Sequence, residues 1–276
     1  MPKRKKLMKL FLDSADIEEI KKVKSWGILE GVTTNPSLIK KAAEKYKVKN
    51  LETYIKKLLK VCKTIPVSLE VIGTDYEEMV REGKILHKKF NKISRNVYVK
   101  IPINPCLQKS CSMKSDGIQA IQTLHKSKIK INCTLIFTPE QATLAAKAGA
   151  NYVSPFVGRE DDYIREMGRI KFEKNDYFPK EGFKKHKKRL EDKGIISGVN
   201  LIEKISTNFK RSKIKTEVLA ASIRNQKQLR ECETAGADIA TVTFKIIEKL
   251  ISHSKTVEGM KKFTKDIVPE YKKMFK

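Results

Sequence analysis

No stretch of this chain approaches the roughly 18 apolar residues needed to cross a bilayer, and its beginning lacks the apolar core of a secretion signal. Neither GxGxxG nor GxxxxGK[ST] occurs, which removes the main support for dinucleotide binding and for a phosphate loop. Cysteine is scarce: Cys62, Cys106, Cys111, Cys133 and Cys232, with no CxxC pair among them. The odd number predicts free thiols in a reducing, cytoplasmic compartment, although Cys106 and Cys111 stand close enough for a loop disulfide. The four histidines, His87, His125, His186 and His253, fall in helical or inserted segments, and no His/Cys cluster has ligand spacing. No catalytic metal is therefore expected.

Negative charge is also short, with 32 Asp+Glu against 59 Lys+Arg for a formal net charge of +27. A basic surface can neutralise nucleic-acid phosphates. Lysine here is spread along the chain beside apolar helix positions, which favours solvated helix faces over a nucleic-acid footprint. In either case the field attracts anionic small molecules. The tip Lys3-Arg4-Lys5-Lys6 has the look of a nuclear signal, but so does many a solvated end.

What is present is a rhythm. Short apolar runs at 9–13, 31–35, 66–71, 96–102, 130–137, 152–157, 217–222 and 239–243 alternate with longer amphipathic stretches. Val, Ile, Leu and Phe dominate the runs, as in strands buried on both faces. Eight such strands with helices between them predict an α/β fold, a single (β/α)₈ barrel over residues 1–276, with an open doubly wound sheet as the alternative. Ser14 or Asp16 can cap the first helix, which carries Ile17, Ile20, Val23 and Trp26. Thr138-Pro139-Glu140 reads as cap, first-turn proline and early acid. Gly149 and Gly236 suit the left-handed position after a helix. Two stretches break the rhythm: 106–114, and a lysine-rich surface insertion at about 163–197.

In a barrel, chemistry gathers at the C-terminal strand ends. There the sequence places Asp13, Thr33-Thr34-Asn35, Glu70, Lys100, Asn132, Thr134, Ser154, Ser222 and Arg224. Lys100 lies in Val97-Tyr98-Val99-Lys100-Ile101-Pro102. Burial disfavours an ammonium, and a neutral amine can attack a carbonyl. An ammonium that reaches solvent or pairs with a carboxylate fits the same pattern. Asp13 and Glu70 can move protons or form ordinary ion pairs. Ser222 and Arg224 follow the seventh strand, where many barrels bind phosphate, and Arg159 is a second candidate.

Eight segments in order resemble the small transaldolases and their sister group, the fructose-6-phosphate aldolases: LFLDSAD at 10–16, GVTTNPS at 31–37, VSLEV at 67–71, VKIP at 99–102, NCTLIF at 132–137, YVSPFVGR at 152–159, LAASIRN at 219–225 and AGADIATV at 235–242. The resemblance implies a (β/α)₈ barrel and a Schiff base on Lys100. It implies that Asp13 takes the C4 hydroxyl proton and that Glu70, with Thr134, positions a water. Asn35 and Asn132 would hold dihydroxyacetone hydroxyls, with Thr33 and Ser154 lining the site. Arg159, Ser222 and Arg224 would grip phosphate. Glu70, Phe156 and Arg224 resemble the transaldolase branch, whereas the aldolase branch usually has Gln and Tyr at the first two positions. The implied reaction moves a dihydroxyacetone unit between sugar phosphates in the non-oxidative pentose phosphate pathway, with no cofactor, no membrane and no specific nucleic acid as partner. Thr243 stands where the small transaldolases usually have Pro, and a local loop change is expected. Residues 252–276 look like the C-terminal helix through which such enzymes form homo-oligomers, pentamers or decamers.

Overall fold

The computed structural model describes residues 7–108 and 111–276, so the basic tip at 3–6 lies outside the described residues. Eight parallel strands close a barrel: β1 Lys9–Asp13, β2 Gly31–Thr33, β3 Val67–Glu70, β4 Val97–Pro102, β5 Lys130–Ile136, β6 Tyr152–Pro155, β7 Glu217–Ala220 and β8 Ile239–Val242. They run in sequence order, and β1 pairs with β8 to complete the circle. The expected (β/α)₈ barrel is the fold, and the open sheet is excluded because no edge strand remains. Each strand falls inside its expected run, which overshoots by one or two residues mainly at the C-terminal ends.

A strand sends successive side chains to opposite faces, and here the two faces build two separate cores. Leu12, Val32, Val67, Val99, Ile131, Val153, Val218 and Ala240 join a large cluster with the surrounding helices. Phe11, Tyr98, Tyr152, Leu219 and Ile239 form a smaller cluster with Ala221 inside the barrel. Tyr98 stacks on Tyr152 at 4.3 Å between centroids, and Phe11 meets Tyr152 edge-on at 6.1 Å. Gly31 makes room for that plug: a Cβ there would lie 2.3 Å from the Phe11 ring.

Capping follows the expectations closely. Asp16, not Ser14, caps Ile17–Ser25 by accepting from the Glu18 and Glu19 amides. Thr138 and Gln141 form a reciprocal capping box on Pro139–Ala148. Gly149 and Gly236 have φ of +104° and +95°. The chain ends in two helices, Ser254–Lys265 and Pro269–Lys273, neither of which buries a residue.

One expectation changes. Cys106 and Cys111 are joined as a disulfide rather than left as thiols, their Cα atoms 6.1 Å apart within the loop that follows β4. Cys62, Cys133 and Cys232 are free and buried. The stretch at 163–197 is largely exposed, with a few buried side chains that anchor it. Its first five residues complete the helix Val157–Met167, and the run at 184–189 forms a two-stranded hairpin. Phe178 and Ile195 are buried. The buried Arg165 guanidinium sits between the rings of Phe172 and Phe178, at 4.9 and 5.0 Å, and Nη2 donates to the Asp176 carbonyl at 3.0 Å.

The helix Val157–Met167 also hides two acids. Glu160 is 1% exposed with Oε1 unpartnered, and burial pushes its carboxyl up to about 8, helped by Asp192 and Asp161. Burial pushes Asp161 to about 7, against amide donation from Gly198, the charge of Arg165 and a hydrogen bond from Gln228.

Both acids bind protons more tightly folded than unfolded, so the stability they support is complete at low pH and fades as pH climbs through about 7 to 8. Denaturant melts of the native chain should show stability declining from pH 5 to 8.5, and Glu160→Gln should flatten that decline. An equally steep decline in the variant would contradict the assignment. Phe11→Ala, which empties the barrel plug, should cost about 3–5 kcal/mol in the same melts.

Candidate active site

The inward parity that places Phe11, Tyr98 and Tyr152 low in the barrel places Asp13, Lys100 and Ser154 two residues further along the same strands. Lys100 and Asn132 are thus not at strand ends but within β4 and β5, in register with each other and with Glu70. Strand tilt carries this inner level upward across β3, β4 and β5.

Lys100 is 5% exposed and is the one buried lysine among the described residues. Its Nζ lies 3.0 Å from Glu70 Oε2 and donates to the Thr34 carbonyl at 3.3 Å. Lys100 thus has a carboxylate within ion-pair distance. The contact is an ion pair without hydrogen-bond alignment, and Oε2 keeps no hydrogen-bond partner. Thr134 Oγ1 is likewise buried and unpartnered. Orphaned buried oxygens of this kind need a polar guest.

Asp13 Oδ1 accepts from the Thr33 hydroxyl at 2.7 Å, and Thr33 shares a second hydrogen bond of 2.6 Å with Thr241. Burial raises the Asp13 pKa above the usual carboxylate value, while Lys100, Thr33 and Arg159 each oppose the rise. Asn132 is wholly buried, accepting from Ser154 Oγ at 2.6 Å and donating to Ser68 Oγ at 3.1 Å. Its amide is fixed, and Ser154 stands above it. Asn35 does double service: Oδ1 caps the helix Pro36–Lys45 by accepting from the Leu38 amide at 2.9 Å.

These groups share a cavity of about 530 Å³, lined by Asp13, Thr33, Asn35, Lys100, Ser154, Phe156, Arg159, Ser222 and Arg224. Glu70, Asn132 and Thr134 do not line it; Glu70 and Asn132 lie in register with Lys100, which does. The Phe156 ring lies 6.0 Å from Lys100 Nζ and 5.1 Å from the Arg159 guanidinium carbon, so one apolar face separates the amine from the cationic end. Arg224 Nη2 pairs with Asp162 Oδ2 at 2.7 Å. Ser222 holds φ +60°, the left-handed region that a non-glycine residue enters at a cost. Its carbonyl accepts from the Gly158 amide at 3.0 Å. A Cβ on Gly158 would lie 2.3 Å from that carbonyl and 2.5 Å from Arg224 Nε.

The sequence matches the family described as Transaldolase/Fructose-6-phosphate aldolase over residues 10–276. The chain belongs to that family. It is 40% identical over 259 residues to the "Probable transaldolase" of Aquifex aeolicus, covering 94% of this chain and 96% of that one. The match to the "Probable transaldolase" of Thermoplasma acidophilum is also 40% over 259 residues, covering 94% and 95%. That of Bacteroides thetaiotaomicron is 39% identical over 269 residues, covering 97% and 99%.

In this family member the cavity has further walls that the sequence did not single out. Lys41 comes from the helix Pro36–Lys45, and Lys174 and Asn175 come from the inserted segment. Thr241 adds a hydroxyl, as does Thr243, which the sequence had marked only as a departure from the usual Pro. Thr243 makes no side-chain cap on the helix that follows it, Phe244–Leu250. The polar inward residue of β8 could have flagged Thr241 by parity. Nothing local marks the lysines, which look like any solvated cation.

Ser222→Gly should relieve the left-handed strain while deleting the hydroxyl. Thermal stability is expected to rise by about 1 kcal/mol, and affinity for phosphate-bearing ligands to fall. A loss of stability would show that the Ser222 backbone is not strained.

Proposed function

We propose that this chain is a transaldolase that carries a dihydroxyacetone unit on Lys100. The observation that carries the reading is the buried Lys100 amine, held at 3.0 Å by Glu70 on the floor of a cavity that also holds Asp13.

The Lys100 amine adds to the C2 carbonyl of a ketose phosphate such as sedoheptulose 7-phosphate or fructose 6-phosphate, and loss of water leaves a protonated imine. A water held between Glu70 and Thr134, whose buried oxygens lack hydrogen-bond partners, moves protons in this step and in the closing hydrolysis. Asp13 then takes the C4 hydroxyl proton. The C3–C4 bond breaks, its electron pair enters the imine, and an aldose phosphate leaves the three-carbon enamine on the lysine. Burial raises the Asp13 pKa and so makes it a stronger base than an exposed carboxylate, as a group that must take a hydroxyl proton requires. Asn35, Asn132, Thr33 and Ser154 hold the dihydroxyacetone hydroxyls. Arg159, Ser222 and Arg224 take the phosphate.

The enamine carbon next attacks the aldehyde of glyceraldehyde 3-phosphate or erythrose 4-phosphate, and Asp13 returns its proton to the new alkoxide. Phe156 favours transfer over simple cleavage, because a ring without a hydroxyl cannot protonate the waiting carbon. The imine itself is the electron sink, so the reaction requires no cofactor. The proposal includes a place in the non-oxidative pentose phosphate pathway of the cytoplasm. It also includes a homo-oligomer, a pentamer or a decamer, a reading supported by the C-terminal helices, which expose Val257, Met260 and Phe263. No helix among the described residues is long and apolar enough to cross a membrane.

Borohydride reduction with fructose 6-phosphate should leave a three-carbon adduct on Lys100 by mass mapping, and Lys100→Met should abolish it together with turnover. An adduct on another lysine would defeat the mechanism. Without erythrose 4-phosphate the enzyme should release no steady dihydroxyacetone. Sustained release would instead make it an aldolase.

A further inference from the structure

The inserted segment reaches the mouth of the active-site cavity through a built turn. The Glu173 amide donates to Asp176 Oδ2 at 2.8 Å, and the Asp176 amide donates to the Glu173 carbonyl at 3.0 Å. Lys174 and Asn175 occupy the tip, and both line the cavity with Arg159, Ser222 and Arg224.

The turn is held from two sides. Buried Arg165 donates to the Asp176 carbonyl at 3.0 Å and is clamped by two phenylalanine rings. Next along the chain, Tyr177 donates to Glu231 Oε1 at 2.6 Å and receives the Lys227 ammonium 3.6 Å from its ring centre. Arg165 also lies 3.7 Å from Asp162, which is the carboxylate paired with Arg224. A single chain of contacts thus ties the position of Lys174 to that of Arg224.

Charge at this end of the cavity needs supplement. Arg224 already spends one edge of its guanidinium on Asp162, and its buried Nε has no hydrogen-bond partner. A phosphate dianion arriving there meets one arginine half neutralised and a second, Arg159, lying over the Phe156 ring. A further cation at the rim makes up the balance.

We propose that Lys174 is a phosphate-binding residue of this enzyme, supplied by the insertion and directed at the phosphate end of the sugar. The inference rests on the transaldolase reading for its substrate. An exposed ammonium on a long stem contributes modestly to anion affinity, so its effect should appear in KM and leave the chemical step alone.

The test compares Lys174→Ala, Lys174→Arg and Lys188→Ala, the last removing an exposed lysine from the hairpin of the same insertion, away from the cavity. With fructose 6-phosphate and erythrose 4-phosphate, Lys174→Ala should raise the donor KM about fivefold with kcat within about twofold of the parent. Lys174→Arg should restore most of the affinity, and Lys188→Ala should behave as the parent. Calorimetric titration with inorganic phosphate, which needs no turnover, should show a matching loss for Lys174→Ala. An unchanged KM and phosphate affinity, in a parent enzyme that turns over, would overturn the role of Lys174 and leave the transaldolase reading intact. An equal loss in Lys188→Ala would overturn it too, by reducing the effect to the general basic field. If the parent fails to turn over, the function fails, and the phosphate titration alone decides Lys174.

Discussion

A closed barrel of parallel strands can turn only every second side chain inward, and everything at this site depends on that constraint. One set of alternating positions, Leu12, Val32, Val99 and their equivalents, faces the helices and supplies the main core. The other set has a narrow interior to fill. Its lower level is apolar, through Phe11, Tyr98, Tyr152, Leu219 and Ile239. Its upper level is polar, through Asp13, Glu70, Lys100, Asn132 and Ser154. The aromatic plug therefore does more than stabilise. It closes the floor, so that the Lys100–Glu70 pair sits in a medium where charge is poorly screened and each polar contact counts for more than it would in water.

That parity is also why so much was legible. Apolar runs interrupted at matching positions by Asp13, Glu70, Lys100 and Asn132 fit a polar level inside a barrel, although solvent-reaching strand ends of an open sheet fitted the same pattern. Two details escaped because they depend on stagger between strands. Lys100 and Asn132 read as strand ends yet sit mid-strand, since tilt brings the middle of β4 and β5 level with the end of β3. Asn35 was read as a ligand for substrate, and its part in capping a helix emerged only with the Leu38 amide in view.

The inserted segment was the least legible part, and the reason is physical. A lysine-rich stretch with Pro and Gly has no periodicity, so nothing in it announces burial. Its docking depends on one buried cation, Arg165, against the aromatic rings of Phe172 and Phe178 further along the chain, a contact that composition cannot forecast. The same holds for Glu160 and Asp161. Three acids in a row look solvated, yet two of them face inward once the helix is packed. The Cys106–Cys111 bridge depends on the path of one loop, which spacing permits but does not require.

The pairing of Arg224 with Asp162 has one more consequence. A vacant cationic pocket on a chain of net charge +27 would be a sink for any small anion in its surroundings. Here an arriving ligand has to compete with a carboxylate already in place, so entry is an exchange of partners rather than the filling of a vacancy. Chloride or a lone carboxylate gains little from such a swap. Under the proposed reaction, a phosphate dianion with three oxygens would engage the guanidinium, the Ser222 hydroxyl and a neighbouring cation together, and so recover what the exchange gives up. Discrimination at this end of the cavity thus begins with a bond the protein makes to itself.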